Sequence, residues 1–485
     1  MKASRSRPLS CPSGPANKVP IARSRQILVM VRSSNSLLSL SIAAVCVHAA
    51  LLFWVIPRVS DRVTPFYNQN RFLDGYDQLA ANLAQGNGYR FYPDTARTLM
   101  REPGYPVFLA GLLLAFGSTF TAVKLANMLL AFATAGLMMR LARRISTNQV
   151  FLIVSPLLFL FHPATLIAES RGGVEILFTF FVMLFVLTLY GALEDGNWWH
   201  YAVTGAVLGL TVLVRSTPIL FPFVLLVYLL LFERHRSSAL AICKNVATII
   251  VAMMVVLSPW IIRNYTLTRQ FVPTASVLGI SAHAGQYICT HYSENKPWVL
   301  LDREAAHERS KLALDRGYHF KDGYYQGFYS TDDELKFSGY LARRVFAEYE
   351  SAPLLCARCV SFNLFNFWFA GKSWESTGMN ILVQLPYMIL AVIGIVACVR
   401  NNRFTVIGPF VLFIVYVVAV CVPILAQARY SVPLIPFLSV LASIAVVALR
   451  EKSVNSVSAP PALVTASDAS RPTISSLVGG RVENE

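Results

Sequence analysis

The recurrence of long apolar segments is the feature that most constrains how this chain can fold. Each segment is about 20 residues long, the length that an α-helix needs to cross the hydrocarbon core of a bilayer. Of the 485 residues, 55% are hydrophobic and 14% are charged, whereas a soluble domain carries about 25% charged residues. Helices satisfy their own backbone hydrogen bonds inside a bilayer. The sequence therefore predicts an all-α polytopic membrane protein with about ten transmembrane helices.

The predicted spans are joined by polar segments of very unequal length. In chain order the spans are Leu37–Pro57, Thr119–Leu141, Val150–Ile167, Val174–Leu193, Trp199–Val214, Pro218–Phe232, Ala241–Trp260, Asn380–Val399, Phe404–Leu425 and Val432–Leu449. A further apolar run, Val107–Gly117, is too short to span and is predicted to lie as a helix at the membrane interface.

The charges flanking these segments predict an orientation. Basic residues and no acid precede the first span, and further basic clusters follow most spans that return to the same side. The positive-inside rule therefore predicts that both termini are cytoplasmic. A signal peptide is the alternative for the first segment, but its apolar run is too long and no small-residue cleavage site follows. The net charge of +16 reflects these turns and tails. It therefore predicts attraction to anionic lipid and not nucleic-acid binding.

This topology divides the chain into three regions. Residues 1–36 and 451–485 are rich in Ser and Pro or Ala and are predicted to be disordered cytoplasmic tails. Residues 37–450 form the predicted membrane domain. Its two large extracytoplasmic regions are predicted at 58–118 and 263–378.

A pair of aspartates stands out in the first outer region. Asp74 and Asp77 are spaced three residues apart, so on a helix they share a face. Carboxylates held at a membrane surface serve as general bases. Capping of the following helix is the alternative for Asp74, and it explains one aspartate better than it explains two.

Arginines collect on the predicted outer face, where the positive-inside rule disfavours them. They are Arg101, Arg171, Arg215, Arg263 and Arg429. Snorkelling to the headgroups explains a single arginine, whereas several at one level favour a shared anionic ligand such as a phosphate. Glu175 follows Arg171 by four residues, so an ion pair on one helix face is an open alternative for these two.

The cysteines and cofactor motifs carry less information. Cys356 and Cys359 have redox or zinc spacing, but no second pair accompanies them, and a disulfide among these two and Cys289 stays open. The sequence holds no Walker loop and no dinucleotide fingerprint. No cofactor is predicted with certainty, and a divalent cation stays open.

Several short motifs lie in a fixed order on the predicted outer face. They are Asp74-x-Tyr76-x-x-Leu79-Ala80-x-Asn82-Leu83, Gly86-x-Gly88-Tyr89, Arg101-x-Pro103-Gly104-Tyr105-Pro106, Arg171-x-x-x-Glu175-x-Leu177-Phe178, Gly209-Leu210-x-x-Leu213-Val214-Arg215, Pro259-Trp260-x-x-Arg263-Asn264-Tyr265 and Arg429-Tyr430-x-x-Pro433. With these motifs, most of residues 37–450 resembles the bacterial membrane glycosyltransferases of the GT-C superfamily. The similar branch is that of the dolichyl-phosphate-mannose–protein mannosyltransferases.

The resemblance implies an inverting transfer of a sugar from a polyprenyl-phosphate carrier at the outer leaflet of a bacterial inner membrane. It implies Asp74 as the general base and Asp77 as a neighbour that raises its basicity. Arg263 and Arg429 would stabilise the departing phosphate. The other residues that it assigns to substrate binding are Arg101, Tyr105, Arg171, Glu175, Arg215 and Tyr430.

The acceptor differs from that of the protein mannosyltransferases in this interpretation. The chain has Asp-Gly-Tyr-Asp at residues 74–77 where those enzymes have an adjacent Asp-Glu pair, which favours a lipid-linked or cell-surface glycan acceptor. A secondary transporter or a lipid or glycan flippase is the alternative function, and it predicts mid-membrane charges and repeated halves with broken helices. Met30 is an alternative start of the chain.

Overall fold

The computed structural model describes residues 42–58, 74–117, 120–232, 238–292, 296, 298–321, 326–371 and 373–458. The predicted tail at 1–36, the alternative start Met30 and residues 459–485 lie outside the described residues. So do residues 59–73 of the first outer region. The last helix continues to Ser458, into the segment predicted as a disordered tail.

Helices dominate the described residues, and short 3-10 segments begin two of the apolar stretches. The apolar helices are α1 (Ile42–Arg58), α3 (Gly104–Phe116), α4 (Phe120–Ile145), α5 (Gln149–Leu160), α6 (Pro163–Ser170), α7 (Glu175–Asp195), α8 (Trp198–Val214), α9 (Phe221–Phe232 after the 3-10 turn Thr217–Leu220), α10 (Ala239–Thr268), α15 (Trp374–Arg400), α16 (Phe404–Cys421) and α17 (Ile435–Ser458 after the 3-10 segment Ala428–Leu434). The helix α2 (Tyr76–Ala84) follows Asp74.

The helices confirm a multi-pass, all-α membrane protein. By length and composition, six described helices can cross a membrane, or seven if the bent pair α5–α6 is one span. The three remaining predicted spans coincide with the shorter apolar helices α1, α8 and α9. Large apolar side chains such as Trp54, Leu231 and Leu382 remain exposed on these helices, as expected for surfaces that face lipid.

The predicted span Val150–Ile167 is broken rather than continuous. Its two halves, α5 and α6, meet at 47°. The break falls at His162-Pro163, because Pro163 is the first residue of α6 and has no N–H to donate to α5. The side chain of His162 accepts a hydrogen bond from the N–H of Ala164 and so caps the new helix.

The second outer region consists of four helices and a small hairpin. They are α11 (Leu278–His291), α12 (Trp298–Asp315), β1 (Phe320–Lys321), β2 (Gly327–Phe328), α13 (Thr331–Ser351) and α14 (Pro353–Phe369). The strands pair antiparallel, with Phe320 opposite Phe328. Since α10 continues to Thr268, Arg263 lies in the last turns of this helix.

Close contacts between backbones hold the membrane helices together. On α8, a side chain at Gly205 would overlap the carbonyl of Ile249 on α10, and one at Gly209 would lie 2.7 Å from Cβ of Val256. Small residues at such crossings let helices approach closely where lipid is as apolar as the side chains. The crossing of α8 and α10 therefore fixes the helix ends that carry Arg215 and Arg263.

Candidate active site

A left-handed turn presents Asp74 to the rest of the protein. Asp74 has φ of 63° and Gly75 has φ of 75°, and α2 begins at the next residue. Gly tolerates this region freely and Asp better than most residues. Asp74 therefore lies outside the helix. It does not share a helical face with Asp77, as the sequence had predicted, and it does not cap α2, which was the alternative.

The carboxylate of Asp74 is bound by an arginine from the far end of the chain. Arg429 donates from Nη1 to Oδ2 at 2.8 Å and from Nη2 to Oδ1 at 3.1 Å. Arg101 donates from Nε to the carbonyl of Asp74 at 3.2 Å, and its Nη2 lies 3.9 Å from Oδ1. The side chains of Asp74 and Arg429 keep 26% and 22% exposure, so the pair is accessible to a ligand.

Glu175 joins this cluster from the beginning of α7. Its Oε1 lies 3.5 Å from Nη1 of Arg429, and its side chain is 2% exposed. Arg171 precedes α7 as the residue that ends α6, so Arg171 and Glu175 do not share a helix face. The carboxylate of Glu175 faces Arg429 in place of the local pairing considered from the sequence.

The arginines determine the protonation of Asp74. Burial by itself would raise the pKa of Asp74, but the charges of Arg429 and Arg101, together with the hydrogen bonds from Arg429, hold it well below its ordinary value. The net shift is thus opposite to the raised basicity expected from the sequence, and the contribution of Asp77 itself stays a prediction. Asp77 lies in the first turn of α2.

Arg215 and Tyr430 lie beside the pair. The guanidinium carbon of Arg215 is 4.0 Å from the ring centroid of Tyr430, and that of Arg429 is 5.5 Å from the same ring. Gln427 accepts a hydrogen bond from Nε of Arg429 at 2.8 Å. Two arginines thus lie against one tyrosine ring, and Gln427 fixes the fork of Arg429 towards Asp74.

Arg263 belongs to a neighbouring group of residues. Its guanidinium carbon lies 4.5 Å from the ring of Trp260 and 5.5 Å from that of Tyr89, and Nη1 donates to Asn264. Across the described part of the chain, no contact joins it to Asp74 or Arg429. Tyr89 links the two groups, because its hydroxyl donates to the carbonyls of Arg101 and Glu102. Among the described residues, the two arginines that the resemblance assigns to the phosphate are therefore not in direct contact.

Tyr105 packs behind the site. Its ring is fully buried and meets that of Tyr76 edge-on, with 5.0 Å between centroids. Tyr76 in turn lies below the guanidinium of Arg101, whose central carbon is 5.9 Å from the ring centroid. The motif Arg101-x-Pro103-Gly104-Tyr105 thus supplies both a cation near Asp74 and the aromatic packing that supports it.

Two buried glutamates that the sequence analysis did not single out hold the loops in place. Oε1 of Glu102 accepts from the N–H of Ser216 at 3.0 Å, next to Arg215. Glu334 of α13 accepts from Thr98, from the N–H of Leu99 and from Ser276, and so ties the first outer region to the second. Burial raises the pKa of Glu334 even though these hydrogen bonds favour its charged form. Its position among the acids of the first turn of α13 resembles ordinary helix capping, so no sequence signal separated it.

The described residues bring together no three His, Cys, Asp or Glu side chains that could hold a metal ion. Cys289, Cys356 and Cys359 are free thiols in the structure. Cys289 and Cys359 pack in one buried cluster with Tyr349.

Comparison with known proteins gives one family. Residues 101–262 match the family model described as dolichyl-phosphate-mannose-protein mannosyltransferase. The match includes Arg101, Arg171 and Glu175 and excludes Asp74 and Arg429. No curated protein matches the sequence significantly.

Two solved structures show low similarity over most of the chain. ArnT from Cupriavidus metallidurans bound to undecaprenyl phosphate is 15% identical, with a TM-score of 0.39, over 84% of this chain and 78% of that one. The apo state of the same protein is 14% identical, with a TM-score of 0.36, over 85% and 78%.

The apolar helices define the class as a multi-pass membrane protein. Within that class, the chain is similar to the dolichyl-phosphate-mannose-protein mannosyltransferases. This confirms the resemblance stated from the sequence motifs.

Proposed function

We propose that this protein is an inverting glycosyltransferase that moves a sugar from a polyprenyl-phosphate carrier to a lipid-linked or cell-surface glycan at the outer leaflet. The matched family carries a lipid-phosphate-linked sugar in its name. The bidentate pair of Asp74 with Arg429 is the observation that carries the proposal. It puts a carboxylate and a guanidinium, a group well suited to bind a phosphate, at one accessible point.

In this proposal the donor phosphate and Asp74 compete for the same guanidinium. A phosphate binds the planar fork of arginine bidentately, as the carboxylate does. Phosphate at Arg429 therefore displaces Asp74, and the loss of this hydrogen-bonded partner raises the basicity of the carboxylate. Donor binding would thus generate the general base at the moment when it is needed.

The transfer is then one displacement at the anomeric carbon. Asp74 takes the proton of an acceptor hydroxyl while that oxygen forms the new glycosidic bond. The bond from the anomeric carbon to the phosphate oxygen breaks, and its electrons remain on the polyprenyl phosphate. Arg429 and Arg215 stabilise the negative charge that develops on the phosphate.

The remaining predicted site residues have supporting roles in this scheme. Arg101 holds the backbone of Asp74 through its carbonyl. Glu175 lies beside Arg429 and keeps its fork oriented once Asp74 leaves. Arg263 packs against Tyr89, whose hydroxyl donates to the carbonyl of Arg101. In this scheme Arg263 therefore supports the position of Arg101 from the neighbouring aromatic group.

The proposal is tested with membrane vesicles and a panel of radiolabelled polyprenyl-phosphate sugars. We expect label to pass from one of these donors into an acceptor fraction when wild-type protein is present, with free polyprenyl phosphate as the second product. Vesicles without the protein are the control. If no donor of the panel loses its sugar under any acceptor condition, the glycosyltransferase assignment fails.

A secondary transporter or a lipid or glycan flippase is the second candidate. The broken span α5–α6 favours it, because transporters build their sites from discontinuous helices. The same vesicles separate the two functions. A transporter moves the intact labelled donor across the bilayer and forms no new glycosidic bond.

A further inference from the structure

A histidine and a glutamate meet inside the helical bundle, away from the residues of the proposed chemistry. Nε2 of His48 on α1 lies 2.8 Å from Oε2 of Glu169 on α6, and both side chains are fully buried. Ionisable side chains within membrane helices are costly and are retained mainly where they serve a function. The proposed transfer uses neither residue directly.

The surroundings of the pair are largely apolar. The imidazole of His48 meets the rings of Phe132 and Phe161 edge-on, at 5.1 and 5.8 Å between centroids. Immediately after His48, the helix α1 changes to a π-helical stretch at Leu51–Val55. Such stretches are rare and often occur at functional sites. They displace the following residues around the helix axis, and here α6 packs against this stretch.

The pair lies at one end of a short chain of contacts that leads to Arg429. Asn127 of α4 is fully buried, and its Nδ2 donates to the carbonyls of Glu169 and Arg171 at 3.2 and 3.3 Å. Only Gly172, Gly173 and Val174 separate Arg171 from Glu175. Glu175 then reaches Arg429 at 3.5 Å. The end of α6 is thus held by the contact between His48 and Glu169 and by the amide of Asn127, and only three buried residues separate it from Glu175.

The packing of α6 supports the same connection. It contacts both the π-helical stretch of α1 and the 3-10 segment Ala428–Leu434, which carries Arg429. A displacement of α6 would therefore move the connection to Glu175 relative to Arg429. Packing of α1 against α6 does not by itself require this arrangement, since a hydrogen bond at any other position would hold the two helices together equally well.

We infer that His48 and Glu169 form a positioning pair for the phosphate site, fixing α6 so that Glu175 lies beside Arg429. This inference rests on the proposed function, because it assigns Arg429 to the donor phosphate. The pair makes no contact with substrate. Its effect is expected in the affinity for the lipid phosphate more than in the catalytic step itself.

The test uses purified full-length protein in detergent with undecaprenyl phosphate as the probe, and it measures both the Kd and the Tm. His48→Leu and Glu169→Leu each leave one buried polar partner alone, whereas the double variant removes both. Single removal should lower the Tm, and the double variant should recover most of it, because two apolar side chains leave no unsatisfied group. The Kd should rise about tenfold in all three variants, because Glu175 then no longer keeps the fork of Arg429 oriented towards the phosphate.

Two further variants serve as controls. Glu169→Gln keeps a hydrogen-bonding group opposite His48 and should hold the Kd within about threefold of wild type. Tyr190→Phe removes the partly buried hydrogen bond that Tyr190 donates to the carbonyl of Val406 at the other end of α7. It should lower the Tm without changing the Kd.

The outcomes are distinct. A double variant that recovers both the Tm and the Kd would show that the pair serves helix packing alone, and single variants with wild-type Kd would have the same meaning. If wild-type protein does not bind undecaprenyl phosphate, the donor class in the proposed function fails, and the positioning role fails with it.

Discussion

At the scale of single residues, the account depends on how Arg429 binds oxyanions. Its fork makes two hydrogen bonds to Asp74 and a third to Gln427. Lys in its place keeps the charge and the ability to reach the headgroups but loses the bidentate geometry. We expect Arg429→Lys to lower kcat/KM for the donor by about tenfold to 100-fold, the loss of one charge-assisted contact. The measurement is transfer rate against donor concentration at equal protein levels.

Arg263 provides the matched comparison for this prediction. It lies against Trp260 and Tyr89 and donates to Asn264, without contact to Asp74 among the described residues. We therefore expect Arg263→Lys to lower kcat/KM by less than Arg429→Lys does, because only stacking and a local hydrogen bond are lost. Equal, near-normal kinetics in both variants would mean that these arginines anchor helices only.

The pKa of Asp74 predicts how stability depends on pH. Its folded pKa lies below the ordinary value of 3.8, so its pairing stabilises the folded state above pH 3.8 and is lost as the pH falls through the folded pKa. The difference in unfolding free energy between wild type and Asp74→Asn should stay constant from about pH 7 to about pH 5. Unfolding in detergent at several pH values measures it. A difference that shrinks within this window would contradict the pairing with Arg429.

At the scale of helices and strands, the positions of the spans could be predicted from the sequence, whereas the partners of individual side chains could not. Apolar length and flanking charge located the spans, because burial in lipid constrains every residue of a spanning helix. His162-Pro163 carried a signal for the break within Val150–Ile167, since proline cannot continue the hydrogen-bond ladder. Asp74-Gly75 is likewise a turn dipeptide, yet the regular helix after it favoured the wrong helical interpretation.

Long-range pairing had no comparable local signal. Asp74 and Arg429 are 355 residues apart, and nothing local in the sequence indicates that they share two hydrogen bonds. The residue types at the predicted outer face indicated a site. Which of these side chains pair with each other depends on how the helices pack. The separation of Arg263 from Arg429 and the anchoring role of Glu334 follow from the same packing.

The close approach of α3 to α8 gives a prediction at this scale. A Cβ on Gly104 would lie 2.7 Å from the carbonyl oxygen of Leu213, two residues before Arg215. Gly104→Ala should therefore push α3 away from α8 and cost about 1–3 kcal/mol of stability. It should also lower transfer, because Arg101 and Arg215 lie on either side of this contact. Gly111→Ala is the control, since a Cβ there meets nothing within 4 Å.

For the Gly104 comparison, Tm and transfer rate are measured on both variants in the same membranes. A Gly104→Ala protein with wild-type Tm and rate would show that the two helices have room to adjust. The contact would then not position the arginines.

At the scale of the whole molecule, the orientation in the membrane is the prediction on which the chemistry depends. The arrangement of basic turns predicts that residues 74–117 and the second outer region face away from the cytoplasm. Reporter fusions after Arg90 and Leu300 should be active only on the extracytoplasmic side, and a fusion after Pro460 only on the cytoplasmic side. Cytoplasmic activity at Arg90 or Leu300 would remove the outer-leaflet donor from the scheme.

The replacement Asp74→Asn tests the central claim most directly. It keeps the size of the side chain but removes the group that accepts the proton, and a general base contributes roughly 100-fold to 10,000-fold to the rate. We predict that purified Asp74→Asn protein binds the polyprenyl-phosphate donor and transfers its sugar at less than about a hundredth of the wild-type rate, whereas Asp77→Asn retains most of it. An Asp74→Asn enzyme that keeps more than about a tenth of the wild-type rate would show that the base lies elsewhere.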